Sequence, residues 1–409
     1  MRTLIRACAL WALVSLAAAP HPLVAVAGET DLSGSVDLEW RLFNEDPAVP
    51  GQEGNSQGSL VLRPEWEWES EDRKRQVRFA PFFRLDERDD ERTHFDLREG
   101  YIQWIFDEWE LLAGVNKVFW GVTESRHLVD VINQVDFVED IDEEDRLGQP
   151  MILAATQRSW GRVEAFLLPG FRERTFPGEE GRLRFPLVVD TDDPLYTSGA
   201  EDERIDGALR WSHYFGDWDV GVSWFHGTGR EPRFVPVPAA GDPSTFVALR
   251  PAYDVIHQLG VDLQYTREAW LWKLETIGRQ GQGRDFAAAV AGFEYTFYQL
   301  GGGASDLGVL LEYLWDDRDL IAPFTVSEDD YFVGARWARN DTQDTSVLGG
   351  VIVDAGDGSI AGLLEFERRL GDRFKIEAEA RWFSSVDPEN PLVFFEQDSF
   401  LTLRFARYF

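Results

Sequence analysis

The stretch FKIEAEARW, residues 374–382, alternates apolar and charged side chains at every step. Successive side chains of a β-strand point to opposite faces, so the pattern predicts a strand with one apolar face and one charged face. A segment of about ten residues is also long enough to cross a bilayer as a tilted strand. A strand in a soluble two-sheet protein alternates in the same way, so this segment alone does not distinguish lipid from a protein core.

Segments 36–42, 60–68 and 77–85 repeat the alternation, and about eighteen strands can be placed along the chain. The lengths of their connections separate the two interpretations, because outer-membrane barrels have short turns on one rim and long loops on the other. Short turns are predicted near residues 71–74, 107–108, 157–159, 216–217, 267–268, 299–305, 341–344 and 371–372. Between them lie connections near residues 44–57, 87–94, 120–150, 169–202, 227–252, 280–285, 317–329, 356–358 and 384–396. The predicted fold is all-β: a transmembrane antiparallel β-barrel with short periplasmic turns and long extracellular loops.

Both ends of the chain carry export features. Arg2 and Arg6 precede an apolar run and the small residues at 25–27, which is typical of a signal peptide over residues 1–27; an N-terminal anchor helix is the alternative. A single barrel domain would then cover residues 28–409. The amphipathic last segment ends in Phe409 and resembles the closing strand of bacterial outer-membrane barrels. That resemblance implies a Gram-negative outer membrane, contact with its lipid and lipopolysaccharide, and Phe409 as a signal read by the barrel-assembly machinery.

Aromatic residues crowd the predicted short turns, as at Trp104, Phe106 and Trp109. Such rings suit a membrane interface, although ordinary hairpin packing is an alternative. The whole chain has 73 acidic and 40 basic residues, a formal net charge of −33, which argues against a nucleic-acid partner. The one cysteine, Cys8, lies in the predicted signal, so no disulfide is expected in the mature protein.

Segment 120–150 is the most unusual connection. It concentrates carboxylates and includes an apolar, helix-like piece from residue 128 to 132. Here the sequence resembles a family of uncharacterised outer-membrane proteins that is similar in kind to alginate-export channels and other eighteen-stranded porins. The resemblance rests on residues 118–121, 130–136 and 146–150, and it implies a loop that folds inward and narrows a pore; a solvated surface loop is the alternative. The candidate constriction residues are Trp120, Glu124, Arg126, Asp130, Asn133, Asp136 and Arg146.

Strand parity predicts a lumen wall with charges of both signs. Its members are Asp37, Glu39, Arg41, Arg63, Glu65, Glu67, Arg78, Arg84, Arg210, Glu365, Glu367, Glu377, Glu379, Arg381 and Arg404. Most of these residues are expected to pair across strands and stiffen the wall. The excess of carboxylates predicts a modest preference for cations or neutral solutes over anions.

Other chemistry is weakly supported. The carboxylates at 139–145 could bind calcium, but they lack the ligand spacing and the glycine of a dedicated site, so no metal or other cofactor is expected. Ser125, close to His127, is the best nucleophile-like grouping, yet no hydrolase motif is present and the chain is not expected to be an enzyme.

The sequence therefore predicts a passive channel for small polar solutes. Two alternatives remain open at this point. One is a non-conducting or plugged barrel that binds a partner through its long loops, and the other is a soluble, secreted carbohydrate-binding protein.

Overall fold

A computed structural model describes residues 28–52 and 54–409; the predicted signal peptide lies outside them. Eighteen strands form one antiparallel sheet that closes on itself. These strands are β1 (Gly28–Phe43), β2 (Ser56–Ser70), β3 (Arg75–Asp86), β4 (Phe95–Ile105), β5 (Trp109–Asn116), β6 (Gln149–Arg158), β7 (Gly161–Pro169), β9 (Ile205–Phe215), β10 (Trp218–Thr228), β13 (Val255–Arg267), β14 (Trp270–Gln280), β15 (Phe286–Phe297), β16 (Asp306–Asp316), β17 (Asp329–Ala338), β18 (Ser346–Asp354), β19 (Ile360–Leu370), β20 (Phe374–Ser384) and β21 (Phe400–Tyr408). The predicted all-β barrel of about eighteen strands is confirmed.

The barrel closes between its first and last strands. Ser35 pairs with Tyr408, Leu38 with Phe405, and the register continues without a shift to Phe43 and Phe400. On its other side β1 pairs with β2 over fifteen residues. No strand of this ring is left with an open edge, so the backbone groups of the wall are satisfied within the sheet.

The two faces of the ring are reversed relative to a soluble protein. On β1, Asp37 and Glu39 point inward and are at most 1% exposed, whereas Leu38 and Trp40 point outward and are 42% and 48% exposed. On β20 the apolar set of the FKIEAEARW stretch points outward and the charged set inward, because Glu377 and Glu379 pair with inward-facing residues of β21. Two stacked sheets with an apolar interior, the arrangement that a soluble protein would need, are therefore excluded.

The two rims differ in the lengths of their connections. All eight predicted short turns join consecutive barrel strands on one rim, and the other nine connections, most of them longer, lie on the opposite rim. One of the two-residue turns, between β9 and β10, places Gly216 at a φ of +61°, a left-handed conformation that glycine adopts without strain. The long-loop rim also carries a small sheet of three strands, β8 (Leu195–Tyr196), β11 (Arg233–Ala239) and β12 (Asp242–Tyr253).

Helical structure is confined to three short 3₁₀ segments, Glu201–Glu203, Leu300–Gly302 and Pro391–Phe395, within the described part of the chain. None of the described helices is long and apolar enough to span a membrane.

Candidate channel interior

The connection between β5 and β6, residues 117–148, is called the inner loop because it lies inside the barrel. Val129 and Ile132 of this loop are completely buried, and Trp120 is nearly so. The prediction of a helix-like piece at residues 128–132 is wrong, because the structure has turns and bends there. Tertiary contacts replace the helix: the apolar side chains pack on the barrel wall, and a wall carboxylate accepts the amide of Val129.

One side of the barrel interior is apolar. Inward-facing side chains from β5 to β17 form one buried cluster with Trp120, Leu128, Val129, Val131 and Ile132 of the inner loop. We call the strand residues of this cluster the apolar wall; they are Leu112, Met151, Phe166, Leu168, Ala208, Phe225, Ile256, Ile277, Phe286, Ala288, Val290, Leu310, Leu314 and Phe332. The barrel therefore has a hydrophobic core of its own, formed between wall and loop rather than between two sheets.

Two carboxylates in this side of the wall hold the backbone of the inner loop. Oε1 of Glu275, on β14, accepts hydrogen bonds from the amides of Val122 at 2.7 Å and Thr123 at 3.0 Å, and from the Thr123 hydroxyl at 2.7 Å. Glu312, on β16, accepts from the amides of Glu124 and Ser125, both at 2.8 Å. A buried carboxylate satisfied by several donors is a strong anchor, so this end of the loop is fixed to the wall.

The opposite side of the interior is lined with arginine. We call the inward-facing charged residues of β20, β21 and β1–β4 the charged wall. Arg84 on β3 is 1% exposed and binds Glu39 at 2.8 Å and Oε1 of Glu139, in the inner loop, at 2.7 Å. Arg41 binds Asp140 of the loop at 2.5 Å. Because Glu139 and Asp140 lie in the acidic half of the inner loop, the arginines of the wall neutralise part of its charge.

The fifteen residues predicted for the lumen wall all lie on the inward face, and the structure gives each a defined neighbourhood. Arg41, Arg84 and Arg381 contact the inner loop, the last through Asp142 at 2.8 Å. The others pair mainly along the wall. Those pairs are Arg63–Asp37, Arg78 with Glu65 and Glu67, Arg404 with Glu39 and Glu377, Arg381 with Glu379 and Glu365, Lys375 with Glu367 and Glu377, and Arg210–Asp262.

Five of the seven predicted constriction residues are enclosed by the protein. Trp120 packs edge-on against Phe166 on β7, with ring centroids 5.6 Å apart. The Asn133 amide donates to the carbonyls of Asn116 and Leu147, both at 2.9 Å, and thereby ties the two ends of the inner loop together. The remaining enclosed pairs are Asp130–Arg146 at 3.1 Å and Asp136–Arg98 at 2.5 Å.

The other two constriction residues line a cavity. The carboxylate of Glu124 lies 2.7 Å from Arg336 on β17, and Arg126 donates to the Thr325 hydroxyl at 2.9 Å. The sequence reasoning missed Glu275, Glu312 and Arg336. Each breaks the apolar pattern of its strand at an inward position, so parity could have placed them on the wall. It could not have placed them against the inner loop, whose contacts lie 152 residues from Glu275 and 188 from Glu312 along the chain.

Charge inside the inner loop is set by its surroundings. Burial lowers the pKa of His127, but the carboxylates of Glu144, 3.2 Å from Nε2, and Glu275, 3.8 Å from Nδ1, outweigh this effect and raise the pKa to about 10, so the ring is a cation at neutral pH. Burial raises the pKa of Asp130 to about 6, although Arg146 and the Trp120 amide oppose the shift. For Asp136 burial is outweighed by His94 and Arg98, which hold its pKa below the usual range.

The carboxylates predicted as a calcium alternative are already occupied by guanidinium groups. Oxygens of Asp140, Asp142 and Glu379 come within 4.8 Å of one another, but Arg41 and Arg381 bind all three residues. This donor set does not fit a dedicated calcium site, which needs free oxygens around the ion.

The histidines of the strands and the nucleophile-like Ser125 all have structural contacts. His226 and His257 face outward and stack with ring centroids 3.9 Å apart, and His213 shares that outward face. The Ser125 hydroxyl donates to Glu312 at 2.6 Å, an anchor carboxylate of the wall.

A cavity of about 520 Å³ lies between the inner loop and strands β17–β20. Its floor and side are formed by residues 123–127 and 141–144 of the inner loop, and its far side by inward-facing residues such as Leu348, Leu363 and Glu365. Phenylalanines from the other outer loops cover it. We call this space the chamber.

Comparison with known proteins gives a likeness in fold only. The sequence matches no known protein family, and no curated protein is similar to it in sequence. A BenF-like porin from Pseudomonas fluorescens Pf-5 is 9% identical and superimposes with a TM-score of 0.54, over 93% of this chain and 98% of the porin. OccK3 (OpdO) from Pseudomonas aeruginosa is 10% identical, with a TM-score of 0.51 over 93% and 95% of the two chains. OccD3 (OpdP) from the same organism is 10% identical, with a TM-score of 0.50 over 94% and 92%.

Proposed function

From this outer-membrane porin fold, we propose that the chain is a passive channel of a Gram-negative outer membrane, through which small polar solutes diffuse past the inner loop. The observation that carries the proposal is the path of that loop. It is fixed to Glu275 and Glu312 on one side of the barrel and to Arg41 and Arg84 on the other, yet it leaves the chamber beside strands β17–β20. On this proposal the loop narrows the bore, and the chamber is part of the space that remains for solutes.

The proposed membrane location is supported by the outward face. Apolar rows cover it, and exposed aromatic rings such as Trp109, Tyr214 and Trp218 stand at the short-turn rim. Amphipathic rings at that level suit the lipid headgroup region. Phe409 is half exposed, and its amide donates to the Gly34 carbonyl at 3.1 Å, so its ring is available to the assembly machinery.

A preference for cations or neutral solutes over anions is part of the proposal. Towards the short-turn rim two carboxylates are more exposed than the cations that bind them: Glu67 is more exposed than Arg78, and Glu367 more than Lys375. Accessible charge of one sign raises the local concentration of counter-ions in the bore.

Refolded protein in a planar bilayer tests the proposal. We expect single-channel current steps and a reversal potential, in a KCl gradient, of the sign that indicates cation preference. Absence of steps in wild-type protein, with steps appearing only when residues 123–145 are replaced by a short glycine-serine linker, would mean that the loop is a plug. A reversal potential of the opposite sign would refute the selectivity.

A further inference from the structure

The chamber has two chemically different halves, and the outer half is aromatic. Phe185, in the loop between β7 and β9, is the centre of a group of rings from four outer loops. Its centroid lies 5.0 Å from that of Phe234, 5.5 Å from Phe324 and 6.0 Å from Phe395. Together with the inward-facing Leu348 of β18, these rings give the chamber an apolar lining large enough for an organic ring.

The half next to the inner loop is charged, and nearly all of its charges are closely paired. Glu144 binds His127 at 3.2 Å, Glu143 binds Arg174 at 2.7 Å, and Glu231 binds Arg279 at 2.6 Å. The opposite charges within each pair neutralise each other, so these pairs attract a charged solute only weakly.

Glu365 on β19 is the exception. Its side chain is 46% exposed, and among the described residues the only cation within 4 Å of its carboxylate is Arg381, at 3.9 Å. Arg381 lies closer to Asp142, at 2.8 Å, and to Glu379, at 2.5 Å. Glu365 therefore presents a largely uncompensated negative charge at the edge of an aromatic cavity.

We infer that the chamber is a binding site for solutes that combine one cationic amine with an aromatic or branched apolar body. This inference rests on the proposed channel function and names a solute class for it. The amine would bind the Glu365 carboxylate and the body would lie against the phenylalanines, whose ring faces also attract cations. A carboxylate solute would be repelled by Glu365, because the guanidinium of Arg381 is already bound by two acids.

The test uses benzylamine as the probe, with benzyl alcohol, benzoate and methylamine for comparison. In single-channel recordings we expect benzylamine to interrupt the current, benzyl alcohol to do so more weakly, and benzoate to have no effect. Methylamine should bind at least about tenfold more weakly than benzylamine, since it lacks the apolar body.

Glu365→Gln and Glu367→Gln form a matched pair of variants. Both remove one inward carboxylate from the same strand, but Glu367 is bound by Lys375 at 2.6 Å and by the Ser346 hydroxyl at 3.0 Å. We expect Glu365→Gln to weaken benzylamine binding about tenfold and Glu367→Gln to weaken it less than about twofold. Equal losses in the two variants would mean that only the general field of the bore matters, and would overturn the inference.

Calorimetric titration of benzylamine into refolded wild-type protein in detergent separates this inference from the channel proposal. Current steps without benzylamine binding would overturn the inference and leave the channel intact. Binding that Glu365→Gln weakens, in a protein that gives no current, would support the site and overturn the channel.

Discussion

The two sides of the barrel interior hold the same loop by opposite means. On the apolar wall, Ile132 and its neighbours are buried among aliphatic and aromatic side chains, and only Glu275 and Glu312 intervene. On the charged wall, Arg84 and Arg41 bind the loop through carboxylates. The difference shows that the inward face of a closed β-barrel need not be uniformly polar. It is apolar where protein covers it, and it is charged where the charges are paired or face water.

The largest effect is expected on the charged wall. Arg84→Ala would leave Glu139 without its closest cation and would remove one of the cations bound to Glu39, all in a buried site. We expect the free energy of unfolding to fall by about 4 kcal/mol, measured by urea denaturation of the barrel in lipid vesicles. Arg78→Ala is the matched control, because that side chain is 27% exposed and its pairs face water, so the loss should stay below about 1 kcal/mol. Equal losses would remove the distinction between buried and accessible pairs.

A smaller effect is expected on the apolar wall. Ile132→Ala removes a completely buried side chain and should lower the free energy of unfolding by about 3 kcal/mol, because it leaves a cavity between loop and wall. Ile141→Ala, in the acidic half of the loop, is only partly buried and should cost less. If Ile141→Ala proved the more damaging, the apolar wall would not be the main packing surface of the loop.

The stability of the protein is also expected to depend on pH through Asp130 of the inner loop. The pKa of Asp130 is raised from 3.8 to about 6, so the folded protein binds its proton more tightly than the unfolded chain does. Stability from this group is therefore lost as pH rises between about 4 and 6. Asp130→Asn should remove this loss. The free energy of unfolding of the variant, relative to that of wild type, should therefore be up to about 3 kcal/mol higher at pH 7 than at pH 4. A constant difference across this range would contradict the shifted pKa.

The barrel could be predicted because the alternation of many strands and the residues of their turns are visible in short stretches of sequence. Residues 374–382 alternate cleanly since their inward face meets arginines, carboxylates and water. Strand β16, by contrast, reads DLGVLLEYLWD and is apolar on both faces over much of its length, because Leu310 and Leu314 point inward to the packed loop. Alternation therefore fades in the strands that the inner loop covers.

The path of the inner loop was beyond local rules. Its acidic residues suggested a solvated or cation-binding segment as readily as an arginine-bound one, and only the closed ring brings Glu139 to Arg84. The apolar piece at 128–132 has a helical spacing, but the amide of Val129 donates to Glu275, which lies 146 residues away along the chain. Contacts between residues so far apart determine the path of the loop inside the barrel, and the sequence around each residue does not reveal them.

Ring closure between β1 and β21 joins Ser35 to Tyr408, so the seam links residues from the two extremes of the chain. Before this seam forms, the sheet has two edge strands with unpaired backbone groups. Each edge can pair with a strand of another chain and begin aggregation. We expect closure of this sheet to be a slow step of folding, because its closing contact joins residues that are far apart in the sequence.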